Sequence, residues 1–394
     1  MDRDTSKITP ADAPWLDDPS ARAVCDAIAA GGHQIFYVGG CVRNALLGRQ
    51  VSDVDMSTSA TPQQVIAQTE AAGLKPVPTG IDHGTITVVS GGVGYEVTTF
   101  RRDVQTDGRR AVVAFSTDVA EDARRRDFTM NALYADAGGN VIDPLNGLPD
   151  LCAGHVRFIE DADRRIREDY LRILRYFRFH AWYGNTSDGM DAEALAAIAS
   201  NLSGLETLSA ERVGAEMQKL LAAPDPSTSL AAMSQTGALG TVLPGADTSF
   251  VLMMIHGADT LGLPADWLSR LVALGGHTVP ERLRLSRQEQ RRYAVIQDAA
   301  YGGASLNATA YEHGADDAIQ AYLIRCALSE TLPQAGDVSA LTRAGAQVFP
   351  VKAADLMPAY QGAALGARLA ALKASWIESD FALDKAELLG LPTP

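Results

Sequence analysis

The spacing of apolar residues changes several times in the first third of the chain, and each change marks an element. Ala21 to Ala30 has helical spacing and stops at Gly31-Gly32. Ile35 to Val38 is a short continuous apolar run, the pattern of a buried strand. Val42 to Leu47 predicts a short helix closed by Gly48, and Val51 to Thr58 alternates like a strand. Thr61-Pro62 opens a further helix, with Thr as N-cap and Pro in the first turn, which ends at Gly73. Gly84 to Ser90 and Val93 to Phe100 read as two strands joined by Gly91-Gly92, a hairpin signal. Arg101 to Val119 is polar, contains Asp107-Gly108-Arg109, and is expected to be mobile and able to close over a substrate. Val141 to Pro144 is a last strand, followed by turns at Asp143-Pro144 and Asn146-Gly147 that suggest a boundary.

Beyond about residue 159 the strand patterns cease and helices with Gly and Pro breaks take over. In Glu168 to Phe179, Tyr170, Ile173, Leu174 and Phe177 make one apolar face, while Asp169, Arg172, Arg175 and Arg178 run along another. Ser209 caps a helix to Leu221, and 230–244 is an apolar helix pair ending in Pro244. Residues 245–394 are helical and acidic with no evident chemistry, and Trp267, Tyr293, Tyr301 and Trp376 read as core. The expected organisation is a loose leader (1–23), a mixed α/β head (24–149), a helical neck (150–223) and a helical body and tail (224–394).

Composition limits the classes of function. With 394 residues, 46% hydrophobic and 21% charged, the chain is globular and large enough for several domains. It lacks the apolar run of about 20 residues that a membrane helix needs. The amino-terminal stretch has no secretory pattern, so a cytoplasmic protein is expected. Four scattered cysteines fit a reducing compartment, and without C-x-x-C or H-E-x-x-H spacing no zinc is expected. A net charge of −14 opposes binding nucleic acid by charge alone. Arginines nevertheless cluster at 101–102, 109–110, 124–126 and 164–178, enough for a local phosphate-binding surface.

Candidate chemistry centres on GGCVRNALLGRQVSDVD, residues 39–55. Glycines after a strand let backbone amides approach a phosphate, with Arg43 close behind. Asp53 and Asp55 are two apart, so in a strand they share a face and can reach one hard cation such as Mg²⁺. Taken alone, an Asp-X-Asp triplet and a Gly-Gly pair are equally the marks of a solvated loop. Glu96 is either a third metal-facing carboxylate or an exposed strand residue. The arginine pair in RRDFTMNAL (125–133) suits a triphosphate or a charged helix end. The Asp169 and Arg172 pair can imitate the pairing edge of a base, or it belongs to a solvated salt-bridged face.

Together and in order, these segments resemble the motifs of bacterial class II tRNA nucleotidyltransferases, the CCA-adding enzymes, and of their poly(A) polymerase relatives. GGCVRNALLG with DVD is similar to the first motif, RRDFTMNAL to the second, DPLNGLPDL to the third, EDYLRILRYFRF to the fourth and SAERVGAEMQKLL to the fifth. The resemblance implies an α+β head with a mixed sheet, of the DNA polymerase β-like nucleotidyltransferase fold, then an all-α neck, body and tail. It implies template-independent, Mg²⁺-dependent addition of CCA from CTP and ATP to the 3′ end of tRNA, with release of pyrophosphate. Asp53 and Asp55 would bind the metal. Gly40, Arg43 and Arg126 would hold the triphosphate, and Asp169 and Arg172 would read the base, assisted by Arg175 and Arg178. Asn44 stands where the family usually has Asp, which removes a possible local partner for Arg43.

Three rival activities and one non-enzymatic role remain in view. Poly(A) polymerases usually carry a Gly-Arg-Arg-Phe-type segment where this chain has TGIDHGTITV. CC-only enzymes tend to lack the segment represented here by DVQTDGRRAVVAF. An A-only enzyme is the harder alternative to separate. A non-catalytic tRNA-binding protein predicts a broken carboxylate pair, and both aspartates are present.

Overall fold

The computed structural model describes residues 5–107 and 110–392, with the backbone alone for 103–107 and 110–113. It divides into two compact units: residues 1–208 with 235–241, and residues 209–234 with 242–394.

The first unit is built on a seven-stranded mixed sheet. Its strands are β1 (Ile35–Val38), β2 (Met56–Thr58), β3 (Lys75–Gly80), β4 (Thr85–Ser90), β5 (Val93–Thr99), and, after a separate hairpin of β6 (Arg101–Asp107) and β7 (Arg110–Phe115), β8 (Tyr134–Ala135) and β9 (Val141–Ile142). The spatial order is β3-β4-β5-β2-β1-β8-β9. All neighbours are antiparallel except β2 and β5, which are parallel. Alternation decides the faces: Tyr95, Val97 and Thr99 on β5 are buried, whereas Glu96 is exposed on the other side.

Helices α1 (Pro19–Ala30) and α3 (Pro62–Ala71) pack against the sheet, and α2 (Gly40–Leu46) leads away from β1. The α3 start is the expected one: Pro62 fills the first turn, and Thr61 and Gln64 form a reciprocal capping box. Helices α4 (Val119–Arg124) and α5 (Leu148–Ala153) precede α6 (Ala162–Glu168), α7 (Leu171–Tyr183) and α8 (Ala192–Ser200). Phe128, Phe158, Tyr176 and Phe179 join the segment after α4 to α7, with ring centroids 5.0–6.1 Å apart. A helix rich in arginine is thereby fixed by its aromatic face against the segments around Phe128 and Phe158.

The second unit is helical throughout its described residues, from α9 (Ala210–Leu221, capped by Ser209 as expected) to the helix Lys385–Gly390. Buried Arg270 donates to the carbonyls of Leu221, Ala223 and Pro224, satisfying the end of α9. Tyr293 and Trp376 are core, as expected, but Tyr301 is 46% exposed.

Several expectations need correction. The strand foreseen over 51–58 is confined to Met56–Thr58, so Asp53 and Asp55 lie on the extended segment that leads into it. The Val38 amide reaches the Asp55 carbonyl, at 3.0 Å, while Ser52, Asp53 and Asp55 are all exposed residues. Strand β3 was not foreseen because Pro76 and Pro78 weaken the pattern; an edge position tolerates both. The polar segment from Arg101 contains the paired strands β6 and β7, while Gly108 and Arg109 lie outside the described residues. The leader is packed from Ser6 onward, with Ile8 and Leu16 each 2% exposed and Trp15 edge-on to Tyr37; Met1–Asp4 lie outside the described residues. The helix expected over 168–179 is two helices, broken where Asp169 adopts an extended conformation.

Candidate functional site

Strand register brings the first acidic pair together. Met56 is paired in parallel with Val97, so Asp55 and Glu96, each one residue earlier, sit side by side where adjacent strands are about 4.8 Å apart. Both line a cleft of about 430 Å³ together with Gly39, Gly40, Arg43, Ser57, Thr98, Arg126, Asp127, Asn131, Asp169, Arg172 and Arg175, among others. Both also line a second hollow of about 490 Å³, where Asp53, Asp18 and Tyr95 join them. Loss of water around Asp55 raises its pKa, and the charges of Glu96 and Asp53 raise it further against the pull of Arg126. These carboxylates therefore repel one another and favour a cation.

The donor set is all oxygen, which suits a hard divalent ion such as Mg²⁺ and not a soft metal. Among the described residues no three carboxylate, imidazole or thiol groups already converge on a metal position.

The Gly39-Gly40 turn sits beside this pair. Gly39 has φ +70° and ψ −116°, a conformation open to glycine, and a Cβ there would lie 3.4 Å from Arg126 Nη1. Arg126 is held from behind: its Nε donates to Tyr134 Oη at 3.1 Å and its Nη2 to Asp122 at 3.0 Å. Burial disfavours its charge, but the Tyr134 hydroxyl and the Asp122 carboxylate overcome this and raise its pKa. Asp122 is 1% exposed and burial pushes its pKa up, yet Arg126 and Arg125 outweigh that and hold it below the ordinary aspartate value.

Arg43 is largely committed to the protein. Its Nη1 donates to Asn131 at 2.5 Å, its Nη2 to Tyr183 Oη at 2.8 Å, and its Nε and Nη2 to Asn44 Oδ1 at 3.1 and 2.9 Å. Its guanidinium also lies 4.2 Å from the Tyr183 ring centroid. The sequence-based view of Asn44 was therefore wrong. An amide oxygen accepts from a guanidinium as well as a carboxylate oxygen does, so the local partner of Arg43 is retained.

A buried chain continues from Arg43. Asn131 Nδ2 donates to Asp127 at 2.9 Å, and Asp127 accepts from Arg175 Nε at 2.7 Å and again from its Nη2. Burial works against the Asp127 charge, but Arg175, Asn131 and the Phe128 amide hold its pKa well below the usual carboxylate range. Arg175 thus spends two donors on Asp127, which weakens the expectation that it assists in reading a base.

At the other end of the cleft, Asp169 ends α6 and accepts from the amide of Leu171, the first residue of α7, at 3.1 Å. Arg172 donates to Glu168 at 2.6 Å, to the Arg165 carbonyl at 2.8 Å and to the Arg125 carbonyl at 3.2 Å. Glu168 also takes a short contact from Arg165. The structure therefore places Gly40, Arg43, Asp55, Glu96, Arg126, Asp169, Arg172 and Arg175 around one cleft. Asp53 lines only the adjoining hollow, and Arg178, with its guanidinium 4.4 Å from the Phe179 ring centroid, lies outside the cleft lining.

Sequence reasoning missed the roles of Asp122, Asp127, Asn131, Glu168 and Tyr183. The first four carried a readable signal, because Asp122–Arg126, Asp127–Asn131 and Glu168–Arg172 are all i, i+4 pairs. Tyr183 carried none, since its partners Arg43 and Asn44 are about 140 residues away.

Comparison with known proteins gives the same arrangement a lineage. Residues 35–157 match the poly(A) polymerase head domain, and residues 189–250 match the probable RNA- and SrmB-binding site of polymerase A. Over these two segments the chain resembles the poly(A) polymerase and tRNA nucleotidyltransferase family. Within that family, mitochondrial CCA tRNA nucleotidyltransferase 1 of Mus musculus is 41% identical over 218 residues, 55% of this chain and 50% of the relative. The CCA-adding enzyme of Geobacillus thermodenitrificans is 41% identical over 216 residues, 54% of this chain and 52% of the relative. The chain spans about half the length of these curated relatives. The structure of the Bacillus stearothermophilus CCA-adding enzyme in complex with CTP matches with a TM-score of 0.73 and 27% identity, covering 93% of each chain. The Thermotoga maritima CCA-adding enzyme complexed with tRNA shares the fold at a TM-score of 0.68 and 17% identity. A family head with a mixed sheet, followed by helices, is the architecture expected from the sequence.

Proposed function

We propose that this protein is a cytoplasmic CCA tRNA nucleotidyltransferase, adding CMP, CMP and AMP to the 3′ end of tRNA from CTP and ATP without a nucleic-acid template. The observation that carries the reading is a cleft with repelling carboxylates, Asp55 and Glu96, at one end and the Asp169 and Arg172 pair at the other. Names of relatives from mouse and from Geobacillus, and the CTP complex of the Bacillus enzyme, point to the same activity.

In this reading Asp53 and Asp55 would hold Mg²⁺, with Glu96 beside Asp55, and the ion would lower the cost of forming a 3′-alkoxide and neutralise the leaving pyrophosphate. The backbone at Gly39-Gly40 and the Arg126 guanidinium take the triphosphate, with Asp122 and Tyr134 fixing Arg126. Arg43 contributes by holding Asn131 and the start of α2 more than by donating to phosphate. Asp169 and Arg172 present an acceptor and a donor to the base edge, as cytosine and adenine both require. The tRNA 3′-oxygen then attacks the α-phosphorus, the bond to the β-phosphate oxygen breaks, and pyrophosphate leaves. Phosphoryl transfer asks little more of a protein than position and charge.

The test is incorporation into tRNA lacking its 3′ CCA. Three added nucleotides only when CTP and ATP are both present support the reading. A long A tail with ATP alone marks a poly(A) polymerase, A added only to tRNA ending in CC marks an A-only enzyme, and no incorporation marks a tRNA-binding protein.

A further inference from the structure

The loop between α2 and β2 carries Asp53, and its two ends are fastened differently. At its carboxyl end the Asp55 carbonyl accepts from the Val38 amide at 3.0 Å, which ties it to the sheet. At its amino end it is fastened to α7. Arg49 donates through Nη1 to the Trp182 carbonyl at 2.6 Å, in the last turn of α7, where a cation also meets the negative end of the helix. Its guanidinium lies 4.9 Å from the Tyr183 ring centroid, and Arg43 lies 4.2 Å from the same ring. Asn44 completes the joint. Its Oδ1 accepts from Arg43 and, at 3.3 Å, from Tyr183 Oη, while its Nδ2 donates to the Gln50 carbonyl at 2.9 Å. One side chain that accepts and donates at once is what an amide offers and a carboxylate does not.

Asp53 lies three residues after Gln50 and two before Asp55, and its carboxylate is held only by the neighbouring Ser52 hydroxyl, at 2.9 Å, among the described residues. A residue spans at most about 3.6 Å, so the two fastenings leave Asp53 little freedom. We propose that Arg49 and Asn44 are positioning residues for Asp53, clamping its loop to the carboxyl end of the helix whose amino end carries Asp169 and Arg172. This rests on the reading that Asp53 and Asp55 hold a divalent ion. One rigid helix, on the order of 20 Å long for its 13 residues at 1.5 Å per residue, then sets both the base-facing pair and the metal-facing carboxylate.

The test uses the full chain and two variants, Arg49→Ala and Asn44→Ala. Arg49 is exposed, so its removal leaves the core intact. Mn²⁺ binding to the enzyme with CTP, without tRNA and hence without turnover, is read by electron paramagnetic resonance. Each variant should bind Mn²⁺ about tenfold more weakly, the scale seen when groups that orient metal ligands are lost. In steady state, the Mg²⁺ concentration for half-maximal rate should rise in parallel, kcat should fall, and KM for CTP and the choice between CTP and ATP should stay near wild type. Unchanged Mn²⁺ affinity in both variants overturns the proposal, as does a lowered Tm with normal kcat and metal dependence, which marks a merely structural joint. Asp53→Ala serves as the control: if it leaves Mn²⁺ binding unchanged, the reading of the carboxylates as metal ligands falls, and the fault is distinguished from that of the clamp.

Discussion

Replacing Asp55 by Asn should make the metal-free protein more stable while abolishing nucleotide incorporation. The Asp55 carboxylate accepts no hydrogen bond from the described residues, so the amide forfeits none. What it removes is repulsion. Asp55 keeps an exposed side, but part of its water is displaced and the charges of Glu96 and Asp53 stand close, so its pKa is raised. Two like charges 4 Å apart in water repel by about 1 kcal/mol, and the open cleft keeps the screening strong, so relief of about 0.5–1 kcal/mol is expected. In a unit of this size that is an increase in Tm of about 1–4 °C. The sign follows from linkage. A carboxyl group whose pKa is raised by folding penalises the folded state where it is ionised, above that raised value, and costs nothing below the ordinary aspartate value of about 3.9. The advantage of Asn should therefore be full near pH 7.5 and vanish as the pH falls to about 3.9. Thermal unfolding followed by tryptophan fluorescence in EDTA measures it directly. Adding Mg²⁺ should stabilise the wild type more than the variant and narrow or reverse the order, because a ion bound only by the folded state raises stability. A variant that melts at or below the wild-type temperature in EDTA at pH 7.5 refutes the account of the site as three mutually repelling acids.

Asp122→Asn should act in the opposite sense. Asp122 is buried and its pKa is depressed, so its contribution is present above the ordinary aspartate value and fades as the pH drops through the lower, folded value; the variant should lose about 3 kcal/mol near neutrality, the scale of breaking a buried ion pair, and progressively less in acid, as read by urea unfolding of the sheet-containing unit. Gly39→Ala forces a side chain into a positive-φ conformation beside Arg126, and should raise KM for CTP and ATP alike at a stability cost of about 1–3 kcal/mol, measured by steady-state kinetics and Tm. Arg172→Ala should lower the CTP-over-ATP preference at the first addition, scored by the nucleotide incorporated into tRNA lacking CCA, whereas unchanged discrimination would remove Arg172 from base reading.

The elements that sequence made legible are those whose signal is local. Period-two alternation in 84–100 gave the hairpin, Thr61-Pro62 gave the helix start, and the break in strand pattern near residue 159 gave the change to helices. The site was legible in part, because its motif residues come from segments that are each locally marked: Gly40, Asp55, Arg126, Asp169 and Arg172 do line one cleft. Less legible was how these groups are spent. Nothing in the one-dimensional pattern says that Asp127 claims Arg175, or that Tyr183 joins Arg43 and Asn44, since those contacts depend on where α7 meets α2 and the segment after α4. The placement of Asp53 and Asp55 ahead of β2 was missed for a related reason: alternation persists into an extended loop that meets the sheet only at Asp55.

The seven-stranded sheet closes both of its borders by unrelated means. On β3 the two prolines, one residue apart, remove amide donors from an outermost strand, while beyond β9 the Ser6 carbonyl accepts from the Val141 amide at 2.9 Å and Ile8 donates to Gly139 at 2.8 Å. A border stripped of donors or already occupied offers no template to an incoming strand from another chain. Residues 6–8 thus act as a stopper: removing them would uncover the β9 border, and self-association on storage or heating would be the first symptom.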